Sequence, residues 1–166
     1  PMINTKEEAE RFVQYAKYPP RGTRSNGPIR AMMYGSAGTY QQTANEETLC
    51  IPMIETKTAV DNLESILDVK GIAGVYIGPS DLGFSYGLHP TLDRTEPEII
   101  KIYERIVKEC EKRGIFPGIH CSGHAGATLA IERGFKLVTV LNDSGLLAMS
   151  AKSHIGEIRK NSGGKA

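Results

Sequence analysis

Leu67-Asp-Val-Lys-Gly-Ile-Ala-Gly-Val-Tyr-Ile-Gly-Pro-Ser-Asp-Leu82 contains one full passage from helix to strand to carboxylate. Lys70 stands in the last turn of an apolar helix, where a cation opposes the helix dipole. Gly71 gives the left-handed exit that ends the helix. Gly74–Gly78 then reads as a short apolar strand that runs into Asp81. The same device recurs in Lys112-Arg-Gly114-Ile115 and Glu132-Arg-Gly134-Phe135. Three repeats of a capped helix followed by an apolar strand predict βα units around a parallel sheet. The strands are apolar on both faces, as strands covered on both sides are.

Outward from this stretch, five units are expected. The first is a stub at Met2-Ile3, followed by a helix from the capping box Thr5-x-x-Glu8 to about Lys17. The next is a strand over 48–54 and a helix over 56–67, with Ala59, Val60, Leu63, Ile66 and Leu67 on one face. Strand 74–78 follows, then a long glycine-rich loop. The helix over 95–113 opens with a second capping box, Thr95-x-x-Glu98, and carries Ile99, Ile102, Tyr103, Ile106 and Cys110. Strand 115–119 precedes helix 125–133, and strand 136–141 precedes helix 144–160. Tyr18–Pro28, with three prolines and two glycines, reads as loop. Residues 29–48 read as loop with one short helix, and the last residues as a frayed tail. An open doubly wound sheet and a closed barrel both satisfy this order. A (βα)8 barrel needs ~200 residues or more, so the 166 residues would supply only its C-terminal part. That part is about strands 4 to 8, in one domain spanning 1–166, with the first three βα units before Pro1 or on another polypeptide.

Charge is balanced, with 20 basic and 19 acidic residues. This points away from nucleic acid and from anionic membrane surfaces. No apolar run reaches the ~20 residues that cross a bilayer. Three cysteines without Cys-x-x-Cys spacing suggest neither a disulfide framework nor a zinc site. A cytoplasmic protein with reduced thiols is expected.

Two carboxylates stand out. Ile51-Pro-Met-Ile-Glu55 ends in an acid, and so does Val75-Tyr-Ile-Gly-Pro-Ser-Asp81. In parallel α/β folds, chemistry gathers at the carboxyl ends of strands. Neighbouring strands lie ~4.8 Å apart, so the two acids can converge, and a cation or a proton must then relieve their repulsion. Oxygen ligands favour Mg2+ or Mn2+. The plainer alternative is that Glu55 simply caps the following helix, a task that Thr56 could also perform. Gly78 and Pro79 form a tighter, stiffer exit than a cap needs.

These segments, with "PMINT", "YPPRGTRSNG", "LDVKGIAGVYIGPSDLG" and "ERGFKLVTV", resemble in order the HpcH/HpaI aldolase/citrate lyase family. Within it they resemble the 4-hydroxy-2-oxoheptanedioate and 2-dehydro-3-deoxyglucarate aldolases. The resemblance implies a (βα)8 barrel and a class II aldolase that cleaves 4-hydroxy-2-oxo acids to pyruvate and an aldehyde. It implies Glu55 and Asp81 as ligands of Mg2+ or Mn2+. The ion would bind the substrate's carboxylate and keto oxygens and act as a Lewis acid on the enolate. Backbone N–H groups around Ser80 and Asp81, beside Gly78, would hold the substrate carboxylate. Met53 stands where the family has a glutamine facing the keto oxygen. The family's catalytic histidine, its aspartate partner and its arginine would lie before Pro1, so no catalytic residue is assigned here. The alternative is a non-catalytic fragment that binds metal and oxo-acid without turnover; an acyl-CoA lyase ranks lower.

His120, at the end of its strand, is a further candidate substrate contact. His124 reads as a helix start, His89 and His154 as solvated or interfacial, Arg24 and Arg30 as structural or as contacts with a neighbouring subunit's site, and Asp143 as an N-cap in preference to a rim residue. Family resemblance also implies a homo-oligomer, hexamer-like, with helix 144–162 exchanged between neighbours.

Overall fold

The computed structural model describes residues 1–27, 29–34 and 39–163, with no side-chain description for Tyr34. Its elements, in chain order, are α1 (Lys6–Ala16), α2 (Ile29–Tyr34), α3 (Tyr40–Glu47), α4 (Lys57–Asp61), α5 (Leu63–Leu67), β1 (Gly74–Ile77), α6 (Pro79–Ser85), α7 (Pro97–Lys112), β2 (Phe116–Cys121), α8 (His124–Glu132), β3 (Leu137–Val140) and α9 (Asp143–Asn161). The three strands form one parallel sheet in the order β1-β2-β3.

A fourth extended segment lies beside β1. The strand expected over 48–54 is not continuous; Cys50 and Met53 form single bridges: Met53 to Met2, Met53 to Tyr76, and Cys50 to Ile72. Pro52 explains why no ladder is counted, because it has no N–H to donate. Its carbonyl still accepts from Tyr76 N at 2.9 Å, and Ile54 N donates to Tyr76 O at 2.9 Å. Met53 N donates to Pro1 O at 2.8 Å, so residues 1–3 flank the other edge.

One sheet face carries the core. Ile54, Val75, Ile77 and Ile119 bury against Leu63 and Ile66 of α5, Leu82 of α6, and Ile99 and Ile106 of α7. The apolar positions of α7 recur every three or four residues, which places Ile99, Tyr103, Ile106 and Cys110 on its buried side. Gly71, Gly114 and Gly134 all adopt positive φ (99°, 65° and 99°). Gly114 and Gly134 directly follow the caps of α7 and α8, as expected. The expectation fails at the first repeat: α5 ends at Leu67 with Asp68 as its cap, so Lys70 lies outside its last turn and Gly71 belongs to the turn that leads into Ile72.

Other expectations need correction. The helix over 56–67 is broken at Asn62, whose side-chain amide reaches away to donate to Asn4 O at 2.9 Å. The passage after Gly78 opens with the helix α6 and becomes loop only beyond it. Thr95 does not cap α7: Glu96 is the N-cap, and its carboxylate pairs with Arg94 at 3.1 Å. By contrast, Thr5 and Glu8 form the expected reciprocal capping box. Residues 29–48 hold two helices, α2 and α3. The expectation of loop at Pro28 and 35–38, and of a frayed tail at 164–166, falls outside the described residues.

Candidate active site

Glu55 follows the extended segment and precedes α4. The capping alternative does not hold for it, because Thr56 is the cap: its hydroxyl accepts from Ala59 N at 3.0 Å. Glu55 is only 6% exposed. Among the described residues its carboxylate has no hydrogen-bond or ion-pair partner. It lies over the α-carbon of Gly78, where an added Cβ would overlap Oε2. Glycine at 78 leaves room for the acid in this position, and a larger residue would make the carboxylate shift. Burial pushes the Glu55 carboxyl above the ordinary carboxylate range, and the charge of Asp81 pushes it further, with a smaller opposing effect from the N-terminal ammonium. Asp81 itself is exposed, in the first turn of α6.

The turn between Gly78 and Asp81 is held from beneath. The Arg94 side chain is completely buried; its Nε donates to Pro79 O at 3.1 Å and its Nη2 to Ser80 O at 3.4 Å. A Cβ at Gly83 would overlap the guanidinium. The neighbouring Asp93 turns the other way and accepts from both the backbone N–H (3.3 Å) and the hydroxyl of Ser122. Adjacent residues thus tie the exit of β1 to the exit of β2. Sequence reading missed both, because Leu92-Asp-Arg-Thr95 carries no pattern that separates a brace from a polar loop.

Alternation along the strands decides which other side chains share the face of Glu55. Met53 bridges to Tyr76, Tyr76 pairs with Gly118, and Gly118 pairs with Leu137. Two residues further along lie Glu55, Gly78, His120 and Thr139. Met53 Cε would stand 3.1 Å from a Cβ at Gly78, so Met53 and Glu55 cover the same glycine. His120 is half-buried and lies one residue inside the end of β2, which continues to Cys121.

The remaining sequence candidates scatter. Asn142, and not Asp143, caps α9, accepting from Gly145 N at 2.7 Å. His124 opens α8 as expected, while His89 and His154 are exposed. The Arg24 guanidinium stacks over the rings of Tyr18 at 4.6 Å and Tyr40 at 6.0 Å, a structural role. Arg30 lies in α2 and is exposed.

A cavity of about 500 Å3 opens at the opposite, N-terminal ends of the strands. Two of its three cations, Lys17 and Arg21, are engaged locally, and Lys70 is the third. Lys17 donates to Asn45 O at 2.6 Å and Thr48 O at 2.5 Å, and Arg21 pairs with Glu46 at 2.5 Å. Among the described residues no three His, Cys, Asp or Glu side chains cluster as a closed metal cage. No described helix is long and apolar enough to cross a membrane.

A parallel α/β protein with two acidic side chains gathered at the exit of β1 is the class this geometry defines. The HpcH/HpaI aldolase/citrate lyase family model matches residues 1–148, and the chain belongs to that family. It is 36% identical over 160 residues to a protein named hydroxypyruvate/pyruvate aldolase from Rhizorhabdus wittichii, covering 96% of this chain and 63% of that one. It is 34% identical to a Shigella flexneri protein named 4-hydroxy-2-oxo-heptane-1,7-dioate aldolase, covering 92% of this chain and 57% of the relative. A crystal structure of a family member from Burkholderia cenocepacia J2315 superimposes with a TM-score of 0.84 at 28% identity, covering 96% of this chain and 63% of that one. The chain therefore spans about three fifths of the length of these relatives.

Proposed function

We propose that the chain provides the metal-binding and pyruvate-binding part of a class II aldolase, a carbon–carbon lyase acting on 4-hydroxy-2-oxo acids. The single observation behind this reading is Glu55: a buried acid without a partner among the described residues, laid over a glycine, with a second acid near enough to raise its proton affinity. A buried carboxylate is costly unless a cation or hydrogen bonds compensate it. The donor set, two carboxylates with the sheet face open beside them, suits a hard, oxygen-seeking divalent ion. Glu55 and Asp81 would hold Mg2+ or Mn2+, which supplies Lewis acidity toward the substrate's keto and carboxylate oxygens.

The residues around the acids have distinct tasks. The N–H groups of Ser80 and Asp81 lie ahead of the first helical hydrogen bond of α6, from Leu82 N to Gly78 O at 2.9 Å. Being outside the helical ladder, they are donors for the substrate carboxylate. Met53 brings a thioether rather than an amide to the same place, and offers the keto oxygen only a weak acceptor with no N–H. The sequential strand order supports reading the sheet as an arc of a (βα)8 barrel, to be closed by further βα units. The exposed apolar side chains of α9 support a homo-oligomer in which residues 144–162 pack on a neighbouring copy.

The test is metal-dependent pyruvate release from a 4-hydroxy-2-oxo acid, followed by coupled reduction of the pyruvate. Release that requires Mg2+ or Mn2+ and vanishes in Glu55→Gln is the expected result. Metal-dependent binding of the oxo-acid with no release would establish the non-catalytic reading instead. Absence of both would sink the proposal.

A further inference from the structure

Three polar side chains from three adjacent strands meet on the sheet face that carries Glu55. The Tyr76 ring crosses Gly118, where an added Cβ would stand 3.0 Å from Tyr76 Cδ2. The Tyr76 hydroxyl thereby reaches His120 Nδ1 at 3.1 Å and also bonds the Thr139 hydroxyl. Thr139 Oγ1 lies 2.9 Å from His120 Nδ1, closing a triangle. All three residues are half-buried.

Proton arithmetic fixes the imidazole. Two hydroxyls bring two protons to three mutual contacts. If Nδ1 accepts, one hydroxyl proton goes to Nδ1 and the other to the neighbouring hydroxyl oxygen, so both are used. If Nδ1 carried a proton, the hydroxyls could exchange only one bond, and one hydroxyl proton would have no partner in the cluster. Saturating the donors therefore places the ring proton on Nε2. Among the described residues Nε2 has no hydrogen-bond partner. The pairing of Ile77 with Ile119 sets His120 level with Gly78, the glycine under Glu55. One strand spacing, ~4.8 Å, separates the two positions.

We propose that His120, held as an Nε2–H donor by Tyr76 and Thr139, binds an oxygen on the aldehyde-derived half of the substrate. This rests on the aldolase reading, in which the pyruvate half sits at Glu55 and Asp81. The substrate class follows: 2-oxo acids bearing a hydroxyl or carbonyl oxygen beyond C3 are favoured over alkyl counterparts. An N–H donor shielded from water and facing an alkyl chain is left unpaired, which costs about tenfold in affinity. His120 is the contact, while Tyr76 and Thr139 are positioning residues.

Calorimetric titration of the Mn2+-loaded chain tests this with pyruvate, 2-oxopentanoate, and its 4-hydroxy and 5-hydroxy counterparts. A hydroxylated ligand is expected to bind about tenfold more tightly than 2-oxopentanoate. His120→Leu should erase that ratio and leave pyruvate binding unchanged. His120→Gln, which keeps an N–H, should retain part of it, a rescue that a purely structural histidine would not give. Nitrogen-15 NMR of the neutral ring should find the proton on Nε2, and Thr139→Val should loosen that tautomer preference. An unchanged ratio in His120→Leu, or a wild-type proton on Nδ1, overturns the assignment while pyruvate binding leaves the aldolase reading standing. No metal-dependent pyruvate binding by the unmodified chain overturns both.

Discussion

Glu55 shows what a binding site costs the fold that carries it. Its carboxyl is pushed up by burial and then by Asp81, so the folded chain holds this proton more tightly than the unfolded chain. The sign follows from linkage. In the metal-free chain, the contribution of Glu55 to stability is fully present below the ordinary carboxylate pKa. It is lost as pH rises through the raised folded value. Glu55→Gln removes that titration, so at neutral pH the metal-free variant should melt at a higher temperature than the unmodified chain. The difference should disappear in acid. Adding Mn2+ should reverse the order, because only the unmodified chain has a ligand to gain. Gly78→Ala acts at the same point from the other side: its methyl would meet Oε2, the carboxylate must move, and metal affinity should fall at little cost to the fold, because the atoms that yield are the ends of flexible side chains. Calorimetry with and without Mn2+ checks both variants. Equal melting profiles for Glu55→Gln and the unmodified chain across pH would contradict the account.

At the scale of elements, α6 is seven residues long and too short to be stable by itself. What fixes its first turn is Arg94, which fills the space over Gly83 and ties down the carbonyls of Pro79 and Ser80. Arg94→Met keeps much of the volume and removes the donors. It should cost about 1–3 kcal/mol for the buried carbonyls left unpaired. Metal affinity should fall as well, because Asp81 sits in the turn that Arg94 holds. Chemical denaturation and Mn2+ titration measure the two effects, and intact metal affinity would show the turn to be rigid without the brace. This contact also marks where sequence reading stops. The glycine exits at 114 and 134 were legible because a helix stop is local chemistry, decided within four residues. So was the carboxylate at the end of an apolar run. The partners of Arg94 are 14 and 15 residues away, and the break at Asn62 depends on Asn4, 58 residues earlier. Neither pairing leaves a trace in local pattern. His120 was recognised by its strand-end position, but Tyr76 and Thr139 become its partners only through strand register.

At the scale of the whole molecule, α9 does not behave like the other long helix. α7 buries an apolar side, whereas none of the residues of α9 is buried. Yet α9 carries Leu146, Leu147, Met149, Ile155 and Ile158, each about half exposed or more. A helix of 19 residues that buries none of its side chains lacks most of the tertiary support on which helices in proteins depend. Exposed apolar side chains in this number are covered by another surface in stable proteins. A second copy of the chain is the occupant that needs no further component, since each copy presents the same helix. Light scattering should therefore report a mass that is a multiple of 18.1 kDa. Leu147→Lys combined with Ile158→Lys should shift the species toward the monomer, and the melting temperature should become independent of protein concentration. The core of β1, β2 and β3 with α5 and α7 involves no residue of α9, so the variant should keep its strand and helix signals upstream. A monomer with a fully formed last helix in the unmodified chain would defeat the prediction, for then α9 would stand in water without the contacts that its apolar residues require.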